Sequence, residues 1–251
     1  MFCPHCGREI SEGQPFCQYC GARIAEPETG AAPERIKTPW EDRENTGFLG
    51  GLLATLRQAL FTPSDFFAKM PVTGGLFEPV LYALIIGMTG LMFFYFWDIL
   101  LLDSLGNFMT PELRAASERG LVRGPGTPFA AVLTPFLLIF WLFAASGLLH
   151  LFLLLVRGAP AGFEATFRVA SYSISPFVFL CIPAFGLPIT VLWAMTLAVI
   201  GLKRAHGIPT CKASFAVLFP FLFICGIFFM IVALFLGAVA ASFGSMWHMY
   251  R

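Results

Sequence analysis

Charge is scarce in this 251-residue chain. Asp, Glu, Lys and Arg make up 12% of it, and 15 acids against 16 bases leave a formal net charge of +1. A balance so near zero carries no information about partners. Catalytic signatures are scarcer still. The sequence holds no H-E-x-x-H, no G-x-S-x-G and no pair of acids inside an apolar run, so the common metalloprotease and serine-hydrolase arrangements are absent. Catalysis would have to come from His150, Glu164 or Asp98, none of them paired in sequence with a nucleophile. The chain is therefore read as a non-enzyme. What it has in abundance is apolar: 57% hydrophobic residues, 29 Phe and a mean hydropathy of +0.77. Such a composition describes an integral membrane protein. The first apolar residues are broken at once by Cys, Pro, His and Arg, so no cleavable leader is expected.

Cysteine is sparse but placed with order. Cys3, Cys6, Cys17 and Cys20 form two C-x2-C pairs, each followed by Gly (Gly7, Gly21), in the matched stretches FCPHCGREI and FCQYCGARI. Two such knuckles facing each other supply four thiolates in a tetrahedron, the geometry of a closed structural zinc site. So short a segment cannot bury a core of its own, and a metal would supply most of its folding free energy. Disulfides are the alternative, and iron in a rubredoxin-like site needs the same ligands. His5 is read as a loop residue, because four thiolates already fill the shell. Cys181, Cys211 and Cys225 read as small hydrophobes. The segment resembles the zinc-ribbon modules that head many prokaryotic membrane proteins. Arg8 and Arg23 are balanced by Glu9 and Glu12, which leaves no basic face for nucleic acid.

The ribbon is assigned to residues 1–24. Residues 25–47 are rich in Pro, Gly and charge and are expected to form a disordered tether, with Trp40 touching the bilayer surface. Over 48–76, Leu49, Leu52, Leu53, Leu56 and Leu60 recur at helical spacing, with Thr55, Arg57 and Gln58 opposite. Thr62-Pro63-Ser64-Asp65 then reads as an N-cap, a Pro at the first helical position and an acid in the first turn. These amphipathic helices are expected to lie in the membrane interface.

Residues 77–251 carry the long apolar runs. Five spans are expected, at about 79–102, 127–156, 169–184, 187–202 and 214–243, the third and fourth joined by a tight turn at Pro183, Gly186 and Pro188. The fold class is thus an all-α integral membrane protein with a small N-terminal ribbon. Arg157, Arg168, Lys203, Arg204 and Lys212, with the basic residues before the first span, outweigh Arg114, Arg119, Arg123 and Arg251. This places the N-terminus in the cytosol and the C-terminus outside, and a reducing cytosol favours zinc over disulfides.

Polar groups inside spans are functional candidates by default. Asp98 is read as a boundary residue and His150 as an interhelical hydrogen-bonding group. Ser171, Tyr172, Ser173 and Ser175 precede Pro176, where hydroxyls can satisfy freed carbonyls. Gly87, Gly90, Gly237 and Ala241 would permit close helix contact and self-association.

The stretch from Phe167 to Leu218 resembles the membrane domain of the Yip (Ypt-interacting protein) family. The resemblance is carried by Phe167-Arg168, Tyr172, Pro176, the Pro-rich turn, Trp193, Gly201, His206-Gly207 and Lys212-Ala213. Upstream, Pro63, Phe66-Phe67 and Pro79 also match. The resemblance implies five helices and a cytosolic N-terminus. With the ribbon, it implies a prokaryotic inner-membrane organiser or adaptor whose zinc head recruits a cytosolic or membrane protein. A small permease or lipid-handling protein is the alternative, and no nucleic-acid partner is expected.

Overall fold

The structure is a computed structural model that describes residues 3, 6–9, 16–21, 35–105 and 128–249. The chain divides into two compact units, Met1–Glu34 and Arg35–Arg251.

Among its described residues the second unit is helical apart from the strap and the connecting loops, with no strand. A strap from Arg35 leads into α1 (Arg43–Thr46), α2 (Phe48–Phe61) and α3 (Pro63–Lys69). Then come α4 (Phe77–Leu105), α5 (Pro128–Leu155), α6 (Gly162–Tyr172), a 3-10 helix (Ser175–Cys181), α7 (Gly186–His206) and α8 (Thr210–Met249). Among the described residues, four helices are long and apolar enough to cross a membrane, with candidate spans Phe77–Leu101, Val132–Leu155, Gly186–His206 and Thr210–Leu234. Most of their surface faces outward, as lipid-facing helices require.

The fifth crossing expected over 169–184 is not a long helix. Glu164, Thr166 and Arg168 make α6 too polar, and Pro176 breaks it, so the path is an 11-residue α-helix followed by a seven-residue 3-10 helix. This path still runs the length of α4. Near one end Tyr82 is bonded to Ser175, and near the other Trp97 Nε1 donates to the Cys181 carbonyl at 3.0 Å. Phe77 and Trp97 are twenty residues apart, roughly 30 Å along a helix. The turn after Cys181 therefore lies at the far end of the bundle, beside Trp97, Asp98 and Leu101. It is also tighter than expected. α7 begins at Gly186 and its 21 residues rise about 32 Å, enough for a hydrocarbon core.

Gly186 is required there, because a Cβ would collide with the Phe179 carbonyl oxygen. Gly87 and Gly90 do allow close contact, but within the chain: Gly87 faces Leu138 and Gly90 lies against the Phe177 backbone. Their surfaces are thus not available for self-association. Gly237 has open space around it.

The strap overturns an expectation. Residues 25–34 lie outside the described residues, but within 35–47 Thr38 and Trp40 are buried, so Trp40 is inside the bundle rather than at the bilayer surface. Its ring meets Phe48 and Tyr82 edge-on at centroid distances of 5.3 and 6.2 Å, and Nε1 donates to the Glu78 carbonyl at 2.9 Å. The same packing moves Thr55 from the expected polar face of α2 to the buried one, where it accepts the Trp40 N–H at 2.9 Å. Thr62 does occupy the N-cap of α3, with Pro63 behind it, but its hydroxyl donates back to the Gln58 carbonyl at 3.2 Å. We call this end of the bundle, where α4 starts and α7 finishes, the strap end.

Candidate metal centre and buried polar clamp

The first unit is organised around sulfur. Gly7 N–H donates to the Cys3 carbonyl and Gly21 N–H to the Cys17 carbonyl, both at 2.8 Å, and both glycines have φ of 67°. The two knuckles are therefore copies, each closed by a residue in the left-handed region that glycine adopts without strain. The four Sγ atoms lie within 4.8 Å of one another, with Cys3–Cys20 at 3.8 Å and Cys6–Cys17 at 3.7 Å. A tetrahedral ion with metal–sulfur bonds of about 2.3 Å sets its ligands about 3.8 Å apart, whereas a disulfide needs about 2.0 Å. Spacing and donor chemistry both fit a metal ion. The Tyr19 backbone N–H, opposed by burial and aided by the Cys20 N–H, draws the Cys17 thiol down to about 6. That favours the thiolate that binds metal. Phe16 and Tyr19 are more than half exposed, with the Arg8 guanidinium 5.0 Å from the Tyr19 ring centre.

In the second unit Arg168 and Tyr172 of the resemblance come together with other polar residues. Glu164, Arg168 and Tyr172 recur every four residues and so share one face of α6. Glu164 Oε1 accepts the Gly75 N–H at 2.6 Å, and Arg168 Nη1 donates to the Gly75 carbonyl at 2.9 Å. The loop between α3 and α4 is thus held by both groups of one peptide residue. Arg168 Nη2 and the Tyr172 hydroxyl both donate to Glu41 Oε1 of the strap. Glu41 N–H reaches Thr38 Oγ1 at 3.4 Å, and Thr38 lies 3.2 Å from the Tyr172 oxygen. Since Tyr172 spends its proton on Glu41, Thr38 donates to Tyr172. Next along, Ser175 donates to the Tyr172 carbonyl at 2.6 Å, so Tyr82 donates to Ser175 at 2.8 Å. Arg35 adds bonds to the Met70 carbonyl at 2.8 Å and the Ala205 carbonyl at 3.2 Å. Arg43 pairs with Glu78 at 2.7 Å while lying 4.4 Å from the Trp40 ring centre. The Arg168 side chain is 1% exposed and that of Glu41 9%, so the charges neutralise each other away from water.

His150 bonds across helices, as read from the sequence: its Nδ1 lies 2.9 Å from Thr166 Oγ1 on α6. The partner of that hydroxyl was not legible. His206 Nε2 on α7 lies 3.0 Å from the same oxygen, while its Nδ1 accepts the Ala161 N–H at 3.3 Å. The carbonyl that Pro176 leaves free is that of Tyr172, and Ser175 satisfies it, as expected of these hydroxyls, whereas Ser171 bonds back to the Phe167 carbonyl within α6 at 2.9 Å. Ser173 Oγ and Arg168 Nε are buried without a partner among the described residues. Asp98 stands beside the turn, away from the clamp. Sequence reasoning missed Glu41, Thr38 and Thr166, and it named His206 only within the resemblance, without a partner. The four-residue spacing of Glu164, Arg168 and Tyr172 was the available signal that an acidic or carbonyl-rich segment must face α6.

An apolar helical bundle and a cluster of four thiols define a multi-pass membrane protein with a metal-binding head. Residues 57–234 match the Yip1 domain and residues 2–24 match the zinc-ribbon domain. The first match covers more than half of the chain, which belongs to the Yip1 domain family. No curated protein and no solved structure is significantly similar to it.

Proposed function

We propose that this protein is a non-enzymatic membrane adaptor whose head binds zinc through Cys3, Cys6, Cys17 and Cys20 and recruits a protein partner. The N-terminus lies in the cytosol of a prokaryotic cell, the bundle sits in the inner membrane, and the C-terminus emerges outside. The observation that carries the reading is the use made of the polar groups: Glu41, Arg168, Tyr172, Glu164 and Arg43 tie elements together rather than line a cavity. The Yip1 family is not a known enzyme family. On the head, the exposed Phe16 and Tyr19 offer an aromatic contact of the kind protein interfaces favour. Any self-association would use the open Gly237 face of α8.

An intramembrane enzyme would need an accessible nucleophile at His150. Thr166 is the hydroxyl there, and it is fully buried. Neither the groove under the strap nor the clefts beside α4 and between α7 and α8 are lined by His150, Thr166 or His206. The permease reading would need a polar cavity at mid-depth, and the clefts at that level are apolar.

The test is in-cell cross-linking of the full chain against a Phe16→Ser/Tyr19→Ser variant, with membrane insertion verified for both. An adaptor loses a defined set of cytosolic partners in the variant. An unchanged partner set, together with solute flux in proteoliposomes, would replace this reading by the permease.

A further inference from the structure

α2 is apolar over more than the arc it buries. Leu52, Thr55, Ala59 and Leu60 face the bundle. A second row, Leu49, Leu53, Arg57 and Phe61, follows the four-residue spacing that keeps side chains adjacent on a helix. It is turned outward, with Leu49 67%, Leu53 60% and Phe61 74% exposed and Arg57 exposed between them. Among the described residues Arg57 has no ion pair, since the pairs present are Arg43–Glu78 and Arg168–Glu41.

We propose that this row is a docking face for the anionic headgroup layer of the bilayer, with Arg57 bound to lipid phosphate and the leucines inserted among the upper acyl carbons. Two observations select lipid as the occupant. The first is continuity with the membrane surface. Phe48, which starts α2, packs on Trp40, which bonds the Glu78 carbonyl in the first turn of α4. The helix thus lies at the level where a candidate span begins. The second is charge. The strap end also presents Lys37, Lys69, Lys203 and Arg204, against the acids Asp42, Glu44 and Asp65, all outside those two ion pairs, and this excess of bases favours an anionic over a zwitterionic surface. An arginine flanked on its row by Leu53 and Phe61 can extend to phosphate while its stem covers the apolar neighbours. The inference is independent of what the head recruits.

The full chain, with a photo-cross-linking phenylalanine analogue at Leu53 or at the exposed Gln58 on another face of α2, is reconstituted in phosphatidylcholine vesicles containing a minority of phosphatidylglycerol. Adducts are then identified by mass spectrometry. Leu53 should yield mainly lipid adducts and Gln58 few. Phosphatidylglycerol should be enriched at Leu53 by roughly fivefold over its share, the factor one basic residue near an anionic surface supplies. Arg57→Gln should cut the enrichment severalfold towards that share, and Arg57→Lys should keep most of it. Chain-to-chain adducts at Leu53 would overturn the proposal in favour of a second copy as occupant. A wild-type ratio equal to the bulk share, or one indifferent to Arg57→Gln, would overturn the role of the arginine.

Discussion

Glu41 and Arg168 lie 127 residues apart in the chain and form a buried ion pair, which Tyr172 joins through the same carboxylate oxygen. One side chain belongs to a segment with the composition of a linker and the other to a helix of the membrane bundle. Their meeting makes the strap part of the folded unit.

Breaking the pair from one side leaves a charge buried alone. Glu41→Ala should therefore destabilise the bundle by about 3–5 kcal/mol, read as earlier unfolding of the detergent-solubilised protein. Glu41→Leu combined with Arg168→Met should return most of the loss, because the apolar pair needs no desolvation of charge. If the double variant is as unstable as the single one, the ion pair is not the main reason.

Trp40 offers a second test of the strap. Trp40→Ala removes a fully buried ring and should cost about 3–5 kcal/mol. Trp141→Ala, at an outward-facing position of α5, should change stability little. Equal tolerance of the two substitutions in the same unfolding assay would mean that the strap is not docked.

For the head, elemental analysis of the purified chain should give one zinc per molecule, and Cys17→Ser should lose it. The substitution should unfold the head while the bundle stays inserted, as expected where metal binding and folding are one equilibrium. A chelator should reproduce the effect. Visible absorbance and bound iron in place of zinc would assign the site to iron.

The turn at the far end of the bundle makes a sharp comparison. Gly186→Val forces a side chain into the Phe179 carbonyl, whereas a Cβ at Gly147, on an outward face of α5, would meet nothing within 4 Å. Expression and thermal stability should fall much further for Gly186→Val than for Gly147→Val.

Orientation can be measured directly. An impermeant thiol reagent applied to intact cells after metal stripping should spare Cys3, Cys6, Cys17 and Cys20 and react with them only after lysis. Labelling before lysis would reverse the topology.

The sequence discloses what is local. The knuckles repeat within a few residues, and apolar runs as long as α4, α5, α7 and α8 allow few folds in lipid. Even the bond of His150 across helices could be anticipated from one polar group in an apolar run. The docking of Trp40 and Glu41 could not, because their partners Tyr82, Glu78 and Arg168 lie far along the chain and the intervening Pro and charge read as unfolded. The fifth path escaped as a helix for the converse reason. The groups that bind the Gly75 loop, His206 and the strap, Glu164, Thr166 and Arg168, lower its hydropathy below that of a span. Thr55 was misplaced on α2 by the same cause, since the hydroxyl is buried to serve a distant backbone N–H.

The strap also determines how tension enters the molecule. A pull on the chain ahead of Arg35 would load the Arg35 bonds to Met70 and Ala205, the Trp40 indole and the Glu41 carboxylate before it reached α2. These anchors follow one another along the strap and hold it to four separate elements, so a pull meets the Arg35 bonds first and the Trp40 and Glu41 contacts only after them. The docked segment works as a strain relief on a cable, shielding the short helices at the membrane from whatever tugs on the head.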